Sequence, residues 1–178
     1  GSQKKENLVV VDFRTCTSDE AAALLAPILR KIINETILPI IQERGSDQTG
    51  GWFAFWRGDP SGEILLPVVG LPAGLISPER QLKNIPFAHE NAVRLGRNPS
   101  HISSFQSAAG GAIRIGSKGT RLLFSFSGFS EYEDEAICVI LARRHSLLTK
   151  EDVLDLIRVS DNPELTSYLN RQKQGHLY

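Results

Sequence analysis

Methionine is absent from the 178 residues, and cysteine occurs only twice, at Cys16 and Cys138. Neither cysteine has a partner at C-x-x-C spacing, which excludes a zinc ribbon and a thioredoxin-type motif. A disulfide framework is not expected at this length. Cys138 lies in the apolar run Ala136–Leu141 and reads as a small buried hydrophobe. Cys16 precedes a helix start and is expected at the surface. No stretch reaches the roughly 18 apolar residues of a membrane span, and no signal-peptide pattern is visible. Net charge is missing too: Lys+Arg and Asp+Glu each number 20. A sequence-independent nucleic-acid binder needs a basic stripe, and an anionic membrane surface needs a basic patch. Neither partner is expected. The chain lacks G-x-G-x-x-G, Walker A and G-x-S-x-G motifs. Its four histidines, His89, His101, His145 and His176, show no H-x-x-x-H or H-E-x-x-H spacing, so no metal site is expected. The default left by these absences is a cytoplasmic globular protein.

What remains is ordinary core material. Hydrophobic residues make up 41% of the chain and charged residues 22%, enough for one core. The organising stretch is Gly110–Leu141. Two apolar runs, Ala112–Ile115 and Arg121–Phe126, flank Gly116–Gly119 and read as a β-hairpin. Ser127-Gly128 then leads into a helix start, and Tyr132–Leu141 is apolar-periodic. The domain organisation follows: an N-terminal extension at 1–16, a domain at 17–146 and a C-terminal helical extension at 147–178.

Upstream, Leu8–Phe13 reads as a short strand. Thr17 and Glu20 form a capping box before a helix carrying Ala21, Leu24, Leu25, Ile28, Leu29, Ile32, Ile33 and Thr36. Pro27 should distort that helix, and Pro39 should kink or end it. Trp52–Trp56 is an aromatic strand, and Glu63–Val69 is its partner, with Pro67 demanding an edge position or a bulge. Gly70–Ile76 reads as an apolar loop rich in glycine and proline. Ser77-Pro78-Glu79 opens a helix that Pro86 should interrupt, with Ala88, Ala92 and Leu95 as one buried stripe. Thr149 opens a further helix, and Asp161-Asn162-Pro163-Glu164 caps another that ends near Arg171. The residues from Gln172 on read as a loose tail.

Several residues admit a chemical reading beside a plain one. The amides after Ser127 and Gly128 can cradle a carboxylate or phosphate at the helix N-terminus, or serve only the turn and the cap. Glu131, Glu133, Asp134 and Glu135 can do acid–base work if burial splits their pKa values, or merely complement the helix dipole on a solvated first turn. His89 and His101 can act as a haem axial ligand or a general base, or be structural. His145 follows two arginines at a helix end, where a cation is favoured. Trp52–Trp56 can stack a flat ligand, or alternate into the core. Arg114, Lys118 and Arg121 are expected on the solvated face of the hairpin.

The order of elements and several short motifs resemble the haem-binding GlcG/HbpS-like family, which includes the C-terminal domain of PduO-type corrinoid adenosyltransferases. The motifs are Gly110-Gly111 with Ala112–Ile115, Leu122–Phe126 followed by Ser127-Gly128, and Glu133-Asp134-Glu135-Ala136, with Glu90-Asn91-Ala92 a weaker match. The resemblance spans Thr17 to Ala142. It implies an α/β (α+β) sandwich of the profilin-like type, with a central antiparallel sheet of about five strands flanked by helices. The C-terminal helices are an addition to that core. It also implies homo-oligomers and a small-molecule ligand, planar or anionic, with haem among the possibilities. Asn91 stands where the family has lysine, so the pocket is altered. The expected ligand-binding residues are His89, Asn91, His101, Phe105, Gly110, Gly111, Ser127 and Gly128, around a pocket between the Gly110-Gly111 hairpin and the Ile85–Arg97 helix. Two alternatives share this scaffold. One is a cofactor-free isomerase, lyase or cyclase with His89 and Glu133 as catalytic residues. The other is an interaction module whose sheet and C-terminal helices dock partners.

Overall fold

The computed structural model describes residues 11–58, 64–96, 102, 110–115 and 121–172. Six α-helices and four strands alternate along these residues. The first helix, α1 (Ser18–Ile32), runs through a π-helical segment, Ile33–Ile37, into α2 (Leu38–Glu43). Strands β1 (Gly50–Gly58) and β2 (Leu65–Gly74) follow, then α3 (Pro78–Gly96). The hairpin pair β3 (Ala112–Ile115) and β4 (Leu122–Ser127) leads into α4 (Glu131–Arg144). The last two helices are α5 (Lys150–Val159) and α6 (Pro163–Gln172).

The strands form one antiparallel sheet in the order β2-β1-β4-β3. Its helices pack around it as an α+β sandwich. Alternation divides the side chains of β1 and β4 between two faces. Phe53, Phe55, Phe124 and Phe126 point to the face covered by α1 and α4 and are fully buried. Their rings meet edge to face, Phe53 to Phe124 at 5.0 Å and Phe55 to Phe124 at 5.5 Å, the geometry aromatic quadrupoles favour. Ala54, Trp56 and Leu123 point to the other face, where α3 lays its stripe of Ala88, Ala92 and Leu95. Helix α4 is buried from Glu133 to Ala142 on every side, because the sheet, α1, α5 and α6 all pack on it. Among the described residues the sheet has four strands, fewer than the five or so expected. Ile102 adds an isolated antiparallel bridge to Ile113, on the side of β3 away from β4.

The helix starts follow their caps. Thr17 Oγ1 accepts from the Glu20 amide at 3.2 Å and donates to Glu20 Oε1 at 3.0 Å. Thr149 and Asp152 form a reciprocal capping box. Other expectations need correction. Val11–Phe13 is not strand: the chain turns at Asp12, whose carbonyl accepts from Thr15 and Cys16, while Leu8–Val10 lie outside the described residues. That turn folds Phe13 against Phe55 and brings Cys16 into the core, 6% exposed, rather than to the surface.

Pro39 neither ends nor breaks the helix. A proline clashes with the carbonyl four residues back and lacks an N–H. The wider π turn at Ile33–Ile37 falls just ahead of it, so the rod continues as α2. Pro86 sits inside an unbroken α3. It and Leu82 are exposed, so the carbonyl that Pro86 leaves without a partner lies on the outward side of the helix. Gly70–Gly74 is strand, not loop. Pro67 falls where the β1–β2 register shifts and on an edge strand, where a missing N–H costs no ladder bond. Gln172 is not tail: it is buried, donating to Thr36 Oγ1 and accepting from Arg144 at 3.1 Å. His145 is no exposed cation at a helix end. Its ring meets Phe13 edge-on, and burial pulls its pKa down.

Candidate functional site

The acidic turn at the start of α4 is the most polar part of the core. Ser130 is the N-cap, accepting from the Glu133 amide at 3.3 Å and donating to Glu133 Oε1 at 2.8 Å. Arg44, just past α2, reaches the same oxygen at 3.0 Å. Tyr168 on α6 donates its hydroxyl to Glu133 Oε2. Burial and this carboxylate together push the Tyr168 phenol well above its usual range. Asn162 donates from Nδ2 to the Tyr132 carbonyl at 2.8 Å and to Glu135 Oε1 at 3.0 Å. Glu133, Asp134 and Glu135 are 1%, 2% and 0% exposed. The solvated first turn expected from the charge run is therefore a buried bracket tying α4 to α2 and α6. Cys138 lies one turn further on, and burial pushes its thiol well up, which removes its nucleophilic form.

The N-terminal amides of this turn are already occupied. Phe129 N–H donates to Asp134 Oδ1 at 2.9 Å, and the Gly128 amide also serves that carboxylate. The helix end thus carries an internal carboxyl group where an external anion was expected. Burial nevertheless pushes the Asp134 carboxyl well above its ordinary value of 3.8, and Glu133 and Glu131 add repulsion to the charged form. The folded chain then keeps this proton to a higher pH than the unfolded chain does. Its contribution to stability is full below about pH 4 and is lost as pH rises through the folded-state value. Asp134→Asn removes that dependence. Urea midpoints measured across a pH series should show wild-type stability, relative to the variant, falling as pH climbs from about 4 toward neutrality. A relative stability that is flat or rises with pH would contradict the assignment.

The glycine pair packs rather than opening a pocket. Gly111 has φ +106°, and a methyl group there would fall 2.7 Å from Asn91 Cγ. A methyl at Gly110 would fall 2.6 Å from the Glu131 carbonyl. Asn91 donates from Nδ2 to the Phe126 carbonyl at 2.9 Å and accepts from Arg94. Helix α3 and the hairpin are in direct contact where the pocket was expected. Ser127 donates to Asn84 Oδ1 at 2.9 Å, which again ties β4 to α3. Arg114 is half-buried, and one of its donors reaches the Leu95 carbonyl at 3.1 Å, so it is not on a solvated face. His101, Phe105 and Lys118 lie outside the described residues.

His89 stands apart from this set. Two residues along a helix turn by about 200°, so His89 and Asn91 leave α3 on different flanks. His89 is exposed, with its ring centroid 5.0 Å from that of Trp56 and tilted by 35°. Trp56 is fixed in turn by its indole N–H, which donates to Ser125 Oγ at 2.8 Å. On this flank the described residues leave part of the sheet exposed. Helix α3 packs on β1, β4 and β3, and on the same face of β2 Pro67, Gly70 and Pro72 are exposed and Leu65 half-buried. The Trp52 indole lies across Gly70, where a methyl group would fall 2.5 Å from Cζ2. Ile85, one helical turn before His89, shares its flank and is 37% exposed. The outcome is a shallow apolar shelf with an aromatic floor and an imidazole at its rim.

A second concavity, of about 460 Å³, lies over the π turn and is lined by Glu35, Thr36, Asn170 and Arg171. Among the described residues no three His, Cys, Asp or Glu side chains cluster to hold a metal, and no helix is long and apolar enough to cross a membrane. No family model, curated protein or solved structure matches the chain.

Sequence reasoning missed Arg44, Tyr168 and Asn84. Each is a polar residue inside or beside an apolar-periodic helix, and its partner lies far away in the chain. Asn162 was visible as a helix cap, and its Oδ1 does accept from the Glu164 amide at 2.9 Å. Its second task, on Glu135, had no local sign.

Proposed function

We propose that this chain is a small-molecule-binding protein of the GlcG/HbpS-like kind, cytoplasmic and homo-oligomeric, that holds a planar ligand on the Trp52 shelf. The observation that carries this reading is a partly exposed aromatic floor beside an exposed imidazole. The Trp52 indole rests on Gly70, and His89 leans on Trp56 at the rim. A flat conjugated ring stacks on an indole face and removes the neighbouring proline and leucine surface from water. The imidazole adds a ligand for a haem iron or a donor for an anionic edge group. His89 suits a haem that lies on the surface, because it is exposed while its ring rests against Trp56. The antiparallel sheet flanked by helices is of the α+β sandwich class that the resemblance implies, with four strands among the described residues where about five were expected. Binding is favoured over catalysis because Glu133 engages both of its oxygens with Ser130, Arg44 and Tyr168.

Titration with haemin tests the reading. A saturable Soret change is expected, and Trp52→Ala should weaken binding about tenfold or more. His89→Ala should weaken it and alter the band position, since the axial ligand changes. His89 is exposed, so that variant keeps the fold, as circular dichroism will show. A titration without saturation, or one that neither variant changes, overturns the proposal.

A further inference from the structure

We propose that the outward face of α3 is the surface on which two copies of this chain pair, antiparallel and about a two-fold axis. The proposal rests on the homo-oligomer reading above and names the surface that such an assembly uses. Helix α3 turns Ala88, Ala92 and Leu95 to the sheet, yet its other side is also apolar. Leu82 is 72% exposed and Phe87 47%, with Pro86 exposed between them and Val93 half-buried further along. A solvated helix face is normally polar; here Leu82, Pro86 and Val93 lie on one side of a charged ridge and Phe87 on the other, and exposed apolar side chains bordering charges mark an interaction site.

The border identifies the occupant. Along the exposed ridge the charges run Glu79, Lys83, Glu90: acid, base, acid; Arg94, next along, is half-buried and turned to Asn91 and Glu131 of its own chain. A second copy laid antiparallel presents the same run reversed. With the two-fold axis between Pro86 and Phe87, Lys83 faces Glu90 of the second copy. Symmetry makes that pair twice, which is what an isologous interface requires. Leu82 then lies close to Val93 of the second copy, and Phe87 meets its own equivalent near the axis. A slip of two helical turns in either direction sets Glu90 against Glu90 or Lys83 against Lys83, so the charges fix the register as they do in paired helices. The surface complements itself, which favours a second copy over an unrelated partner.

Sedimentation velocity over a range of concentrations tests this on the intact chain. Lys83→Glu replaces two attractions with two repulsions and should raise the dimer dissociation constant at least tenfold; Glu90→Lys should do the same. The double variant Lys83→Glu/Glu90→Lys restores opposite charges and should recover the wild-type constant. All these side chains are exposed, so circular dichroism should be unchanged. A wild-type protein that stays monomeric overturns both the homo-oligomer reading and the interface. An oligomer that neither single variant weakens overturns the interface alone, as does a double variant that fails to recover. None of these results bears on haemin titration at the Trp52 shelf.

Discussion

Glu133→Ala is expected to lower the unfolding free energy by about 3 kcal/mol, chiefly because it orphans donors that water cannot reach. The carboxylate is 1% exposed and takes three side-chain partners. Arg44 contributes the smaller part. Its side chain is 44% exposed, so solvent screens its attraction and rehydrates it once the partner has gone. Tyr168 is fully buried. Losing its acceptor leaves a hydroxyl in the core with nothing to bond, at a cost of about 1–3 kcal/mol. Ser130 keeps its capping role toward the backbone but loses the acceptor of its own proton.

A double-mutant cycle separates these contributions. Tyr168→Phe alone should cost about 1–2 kcal/mol, and the Glu133→Ala/Tyr168→Phe double variant should cost less than the two single changes added together, because the orphaned hydroxyl is gone. Urea denaturation with an unchanged m-value is the measurement. A Glu133→Ala midpoint equal to wild type would show that the bracket does not hold α4 to α2 and α6.

This network also marks where the sequence stops being informative. Helix starts were readable because their chemistry is local: Thr17 with Glu20, and Thr149 with Asp152, meet across three residues. The buried stripe of α3 followed from spacing alone, and so did the strands at Trp52–Trp56 and Leu122–Phe126, with their alternation of faces. The acidic run at Glu133–Glu135 could not be read the same way. Its partners, Arg44, Asn162 and Tyr168, come from other helices, and nothing near the run shows that they converge. A charge run without them is solvated; with them it is core. Gly70–Gly74 misled for a related reason. Glycine and proline are loop formers by intrinsic preference, but an edge strand tolerates both, and Gly70 is what lets Trp52 lie flat on the sheet. The shelf was thus half visible, in its two tryptophans, and half hidden, in the strand that carries its floor.

Gly111→Ala should be among the most damaging single substitutions in the chain, with an expected loss of about 3–5 kcal/mol from backbone strain and a broken buried hydrogen bond together. Two independent constraints meet at this residue. Its φ of +106° lies where L side chains are strained. Its missing Cβ makes room for Asn91, whose Cγ is 2.7 Å from where a methyl group would lie. Asn91 is 5% exposed and donates to the Phe126 carbonyl, so it cannot step aside without leaving that carbonyl unpaired between α3 and β4. Gly96 provides the contrast. It closes the same helix, and a methyl group added there would meet nothing within 4 Å. Gly96→Ala should therefore be neutral or stabilising by up to about 1 kcal/mol, since it only narrows the unfolded ensemble. The two constraints at Gly111 can be told apart by adding Asn91→Ala. That change removes the clash but not the strain, so the Gly111→Ala/Asn91→Ala double variant should lose less than the sum of its parts while staying well below wild type. Full additivity would mean that the side chain of Asn91 does not set the approach of α3 to the hairpin, and an unchanged midpoint for Gly111→Ala would mean that the close packing at the glycine pair has no energetic weight.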